Sequence, residues 1–190
     1  KNLLNKVDNL IIGGGMSFTF IKALGGKIGN SLYEEEHLND AKYIINEAMR
    51  KGVNILFPTD VIAADGFSND ANMIEIDADN IEEEWMGLDI GKRTRRRFAE
   101  LINKSQTILW NGPMGVFELS NFKQGTKAMA IAVSSATISG SYSLVGGGDS
   151  VAAINQYNLA DQISYVSTGG GAMLEYLEGK TLPGIQALMD

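Results

Sequence analysis

The chain has no cysteine, which excludes disulfide bridges and thiolate metal sites and says little about compartment. It has a single histidine, His37. No partner for it stands out, so it reads as a surface residue and not as a general base. No apolar run approaches the ~20 residues of a membrane span and no signal peptide is recognisable, so the chain reads as cytoplasmic with no membrane partner. Positive charge is also scarce. Lys and Arg number 16 against 23 Asp and Glu, a net charge of -7. That balance argues against a nucleic-acid partner and requires any anion site to be built locally.

The standard nucleotide and hydrolase signatures are missing too. There is no G-x-x-x-x-G-K-[ST], so an ordinary P-loop is excluded. Three G-x-G runs occur, but Phe18, Val151 or Leu174 stands where a dinucleotide fingerprint needs its third small residue. Gly148-Asp149-Ser150-Val151-Ala152 ends in Ala, which speaks against a hydrolase nucleophile elbow.

What the chain does have is glycine, 22 residues, much of it in triplets after short apolar runs. Ser143-Leu144-Val145 leads into Gly146-Gly147-Gly148, followed by Asp149-Ser150 and an apolar helical stretch. Asp149 and Ser150 fall where a helix N-cap is expected. Glycines remove every Cβ from the approach, and the new helix presents free N–H groups and its positive dipole end to an anion. Asp149 beside an anion makes sense if Mg²⁺ bridges them. An ordinary glycine turn with an Asp cap would look the same, and the motif alone leaves both open.

The first copy of strand, triplet and helix is Leu10-Ile11-Ile12, Gly13-Gly14-Gly15 and a helix over 17–24, preceded by helical spacing at Leu3, Leu4 and Val7. The chain opens at Lys1 inside that pattern, as a piece of a longer protein would. A helix is expected from Glu34 to Arg50 with Leu38, Ala41, Ile44, Ile45 and Ala48 as its buried stripe. Strands are expected at 54–57, 61–64 (as an edge), 73–76, 107–110, 142–145 and 162–166. The acidic run Asp77 to Glu84 lacks Ca²⁺-loop spacing and reads as a solvated face. Trp85 to Gly91 reads as an apolar loop able to wall a flat ring. The basic residues of a helix over 92–104 read as solvated. Further helices are expected over 122–134, 151–157 and 172–177, with a short one from Ile185. The alternation implies one α/β domain over 1–190: a Rossmann-like parallel sheet with helices on both faces, and ligand loops at the strands' carboxyl ends.

Gly13 to Phe20, Trp110-Asn111-Gly112-Pro113-Met114-Gly115-Val116-Phe117-Glu118, Gly146 to Ser150, Ser167-Thr168-Gly169-Gly170-Gly171-Ala172 and the tail Leu177 to Gly184 follow one another as they do in phosphoglycerate kinases. The chain resembles the carboxy-terminal, nucleotide-binding half of that family. The resemblance implies phosphoryl transfer between 1,3-bisphosphoglycerate and Mg·ADP, giving 3-phosphoglycerate and ATP. It implies an adenine slot near Gly13, Gly14, Gly87 and Leu88, with Pro113 among the nucleotide contacts and Glu118 on the ribose hydroxyls. Asn111 would face the phosphates, Asp149 would hold Mg²⁺ and Ser150 would touch phosphate. Gly147 and Gly148, with Gly169, Gly170 and Gly171, would meet the transferring phosphoryl group. The parent enzyme is expected to be monomeric.

Two lysines that the family carries just upstream of this stretch, and the half that holds phosphoglycerate, are not in these 190 residues. The resemblance therefore implies a nucleotide site that is inactive alone. A non-catalytic nucleotide-binding module would share the glycine loops, and a dinucleotide-dependent dehydrogenase is the more distant alternative.

Overall fold

A computed structural model describes residues 1–167, 169–177 and 179–187. A 3-10 turn, Asn2–Asn5, stands where helical spacing was expected. Then come β1 (Asn9–Ile11), α1 (Met16–Ala23), β2 (Lys27–Ile28), α2 (Leu38–Lys51), β3 (Asn54–Leu56), β4 (Asp60–Ala64), β5 (Met73–Asp77), β6 (Asn80–Ile81) and β7 (Met86–Ile90). The remainder is α3 (Lys92–Ile102), β8 (Thr107–Asn111), α4 (Gln124–Ile138), β9 (Tyr142–Gly146), α5 (Gly148–Gln156), β10 (Tyr165–Ser167), α6 (Gly170–Leu177) and α7 (Pro183–Gln186). Thr168 and Glu178, named in the glycine loop and the tail above, lie outside the described residues, as do residues 188–190. Among the described residues no helix is long and apolar enough to cross a membrane.

The fold is α/β and Rossmann-like, with parallel strands flanked by helices. β1 pairs with β3, and β8, β9 and β10 form a three-stranded parallel sheet in the order β10-β9-β8. Several elements differ from the sequence expectation: the strand expected at 162–166 is β10 at 165–167, after a 3-10 turn at Ala160–Gln162, and the helix expected from Glu34 begins at Leu38. The stretch 61–64 is no edge: β4 is the centre of an antiparallel sheet, β5-β4-β7. Four of its five residues are buried, which is why its run is apolar without alternation. The apolar loop at 85–91 is β7, and it contains the glycine that made it look irregular. Gly87 is needed because a Cβ there would run into the Phe18 ring of α1.

Helix faces follow from spacing. Ala41, Ile45 and Ala48 of α2 are buried, one stripe at i, i+4 and i+7. Gly52 ends that helix in the left-handed conformation at φ 71°. In α3 the buried positions are Thr94, Phe98 and Ile102; Arg93 pairs with Asp77 and Arg96 with Glu100 on the outer face. The largest core cluster joins Phe98, Met129 and Val133 from helices to Ile108, Trp110 and Val145 from strands. Each fully buried side chain of this size contributes about 1.5–3 kcal/mol.

Two buried carboxylates hold helix N-termini. Asp60 accepts from the Arg93 and Thr94 amides at 2.9 and 2.7 Å and from Thr94 Oγ1 at 2.6 Å. Burial pushes its carboxyl up, but these hydrogen bonds outweigh burial and keep it below the ordinary value. Asp89, only 3% exposed, accepts from the Gly125 amide at 2.8 Å and the Ile90 amide at 2.8 Å. Here burial dominates over the amides and the nearby Arg95, and pushes the carboxyl up to about 7.

A carboxyl whose folded pKa lies above its unfolded value binds its proton more tightly in the native state. It therefore stabilises the fold at low pH and loses that contribution as pH rises from 3.8 to about 7. Asn at 89 cannot ionise. Urea midpoints across that interval should show the native chain losing stability relative to Asp89→Asn as pH rises. A difference independent of pH would show that Asp89 does not titrate there.

Candidate functional site

The parallel register brings the sequence-predicted loops to one level. Asn111, the last residue of β8, sits opposite Gly146, the last of β9, and Gly146 sits opposite Ser167, the last of β10. The loop after Asn111 and the glycines after Gly146 and Ser167 therefore leave the sheet side by side, at the strand ends where open α/β sheets bind ligands.

Close contacts lock the loops to one another. A Cβ on Gly147 would collide with Asn111 Oδ1, and Gly147 has φ 85° and ψ 142°. Only glycine adopts that backbone without strain. Gly147 is the N-cap and α5 begins at Gly148. Asp149 and Ser150 are thus in the first turn of the helix and not at its cap, as the sequence had suggested. The triplet's left-handed residue makes the turn before either side chain is reached. Asp149 is exposed on the positive end of the helix dipole. Ser150 is 1% exposed, and its Oγ accepts the Gly112 amide at 2.6 Å. Trp110 Nε1 donates to the Gly112 carbonyl at 2.7 Å, so the turn after β8 is tied from both sides.

The first triplet joins the same cluster. A Cβ on Gly13 would run into Met114 Sδ, and one on Gly14 would lie 2.8 Å from the Pro113 carbonyl oxygen. Gly14 has φ +60°, and Ser17 Oγ donates back to its carbonyl at 2.7 Å as α1 begins. Gly87 lies against Phe18 of that helix, and its amide donates to Ser31 Oγ at 2.9 Å. Leu88 is buried with Ala64 and Phe122, and its carbonyl accepts the Val116 amide at 2.9 Å. Glu118 is exposed at the far end of the 111–118 segment.

The third triplet reaches the others through α6. A Cβ on Gly146 would meet Met173 of that helix. By contrast, a Cβ on Gly148, Gly169 or Gly171 would meet no atom within 4 Å. Packing among the described residues does not demand glycine at these three positions, and open space lies in front of two helix starts.

Among the described residues no group of three or more His, Asp or Glu could hold a metal ion. Asp149 is a lone exposed carboxylate. Its hard oxygens are of the kind that Mg²⁺ takes, and one carboxylate alone does not close a metal site. A shallow cleft of about 270 Å³ lined by Glu75, Asp89, Arg95, Asn121 and Gln124 lies outside the glycine loops. Sequence reasoning missed Met114, Ser31, Thr126 and Asp89, whose contacts with the loops cross 11 to 101 residues of chain or depend on the packed fold. No local pattern marks them.

A Rossmann-like α/β protein with three glycine turns gathered at its strand ends is the class that this geometry defines. The pattern describing phosphoglycerate kinase matches residues 1–180. The phosphoglycerate kinase of Porphyromonas gingivalis is 55% identical over 188 residues, covering 99% of this chain and 45% of the relative. That of Thermosynechococcus vestitus is 53% identical over 188 residues, 99% of this chain and 47% of the relative. The solved phosphoglycerate kinase of Coxiella burnetii superposes with a TM-score of 0.94 at 49% identity, covering 99% of this chain and 48% of that one. The chain belongs to the phosphoglycerate kinase family, and it spans about half the length of the curated relatives it matches.

Proposed function

We propose that these 190 residues supply the Mg·ADP/ATP side of a phosphoglycerate kinase site. The supporting observation is the lateral alignment of Asn111, Gly146 and Ser167, with two helix starts behind it whose glycines face open space. In the reaction a β-phosphate oxygen of ADP bonds to the phosphorus of 1,3-bisphosphoglycerate as the acyl P–O bond breaks, leaving 3-phosphoglycerate and ATP. The protein's task in such a transfer is positioning and charge stabilisation, with little covalent work.

Each residue then has a role that its placement permits. Gly13, Gly14, Gly87 and Leu88 bound an adenine slot closed on one side by Pro113. Glu118 takes the ribose hydroxyls, a sensible use of a paired acceptor. Asn111 faces the phosphates. Asp149 would hold the Mg²⁺ that comes with the nucleotide, and Ser150, buried with its oxygen securing Gly112, would reach phosphate only through its own O–H. The amides around Gly147, Gly148 and Gly169–Gly171 face the group in transfer. The phosphoglycerate itself binds the part of the relatives that this chain does not span.

The ribose and phosphate contacts separate by mutation. Glu118→Ala is expected to weaken ADP and adenosine alike by about 1.5–3 kcal/mol, the worth of hydrogen bonds to a charged group. Asp149→Asn is expected to weaken Mg·ADP and leave adenosine nearly unchanged. Calorimetry with both ligands checks this; equal effects of both substitutions on adenosine would reverse the role assignment.

Turnover by the 190 residues alone is expected to be undetectable. Holding two reactants in line is worth ~7–11 kcal/mol of barrier, and these residues would hold only the nucleotide. A coupled assay for ATP formation decides it. Robust activity would mean that groups on this chain also hold the acyl phosphate.

A further inference from the structure

The segment from Gly112 to Leu119 is irregular, yet six of its amides are paired. Gly112 N–H goes to Ser150 Oγ. Val116 N–H goes to the Leu88 carbonyl, Phe117 N–H to Gly115 and Leu119 N–H to Val116. Met114 and Gly115 have neither a strand partner nor a turn carbonyl. Both donate to one atom, Thr126 Oγ1, at 3.1 and 3.3 Å. Thr126 is fully buried in the first turn of α4, so water cannot replace its hydroxyl without opening the core.

The hydroxyl is itself held in place. The Gly125 amide beside it donates to Asp89 Oδ2 at 2.8 Å, which anchors the start of α4 to β7. The Asp89 carboxyl lies between two glycines: a Cβ on Gly115 would come 2.6 Å from Asp89 Cγ and 2.6 Å from the Phe122 carbonyl oxygen, and one on Gly125 would also strike that carboxylate. The segment thus lies close against the α4 terminus, with the Asp89 carboxyl held between Gly115 and Gly125.

We propose that Thr126 is a positioning residue for nucleotide binding, its hydroxyl holding Met114 and Gly115 so that Pro113 and Glu118 meet a purine nucleoside at the right separation. This rests on the nucleotide reading of the loops. Thr126 touches no ligand. It acts by keeping a short irregular segment in one conformation, so that binding does not have to order it.

The test compares Thr126→Val, which keeps the shape and removes the acceptor, with Thr126→Ser, which keeps the acceptor. Amide hydrogen exchange by NMR reads the loop, adenosine titration reads the site, and exchange in the β8–β9 ladder reports whether the variant stays folded. The valine variant is expected to exchange the Met114 and Gly115 amides about tenfold faster, because it leaves two partly buried donors without their acceptor. It should bind adenosine about fivefold more weakly with the ladder unchanged, and serine should restore both. Unchanged exchange at Met114 and Gly115 would overturn the proposal, as would faster exchange with unaltered adenosine affinity, or a serine variant that behaves like valine. A valine variant that loses the ladder protection would also overturn it, by making Thr126 a fold residue. Failure of the nucleotide reading is seen separately, as no adenosine binding by the native chain.

Discussion

Three parallel strands ending at one level are the constraint on which the rest of the site depends. The hydrogen-bond register that sets Asn111 opposite Gly146 and Gly146 opposite Ser167 decides where each following loop leaves the sheet. A slip of one residue would turn every side chain of a strand to the other face. Burial forbids that slip: Ile108 and Trp110 of β8 and Ser143 and Val145 of β9 point into the core, while Thr107, Leu109 and Asn111 face out. The core thus fixes the register, and the register gathers the loops. Phe98, Met129 and Val133 from the covering helices complete the same apolar cluster.

Loops so close together need their backbone groups satisfied without bulk. Glycine removes the bulk where Gly147 meets Asn111, Gly13 meets Met114 and Gly14 meets Pro113. Buried hydroxyls and carboxylates take the orphan amides. Ser150 serves Gly112, Thr126 serves Met114 and Gly115, Asp89 serves Gly125, and Asp60 serves Arg93 and Thr94. Leaving one such group unpaired costs about 1–3 kcal/mol. Burial of Asp89 therefore secures α4 at the expense of a carboxyl that ionises only near neutrality.

The features legible in the sequence were those written within a dozen residues. Each glycine triplet follows a short apolar run, and each was read as a strand turning into a helix, as β1, β9 and β10 do. The stripe of α2 and the solvated basic face of α3 were readable from spacing for the same reason. The antiparallel sheet was not legible. β4 lacks alternation because it is covered by neighbours on both sides, and β7 hides behind Gly87, whose glycine answers to Phe18 in α1. Ser150 looked like a cap because the sequence cannot show that Gly147 turns the chain first. Thr126 and Asp89 are ordinary residues until the fold sets them beside Gly115. The family resemblance was legible in the order of the motifs, and the match over residues 1–180 bears it out; the role of each site residue is not decided by membership.

We propose that one nucleotide site forms where these loops meet. Backbone amide shifts during titration with Mg·ADP test it most directly. A site at the strand ends predicts perturbations concentrated at residues 13–15, 111–118, 146–150 and 169–171, falling off toward the outer face of α3. Perturbations confined to the cleft around Glu75, Arg95 and Gln124, or none at saturating nucleotide, would contradict it.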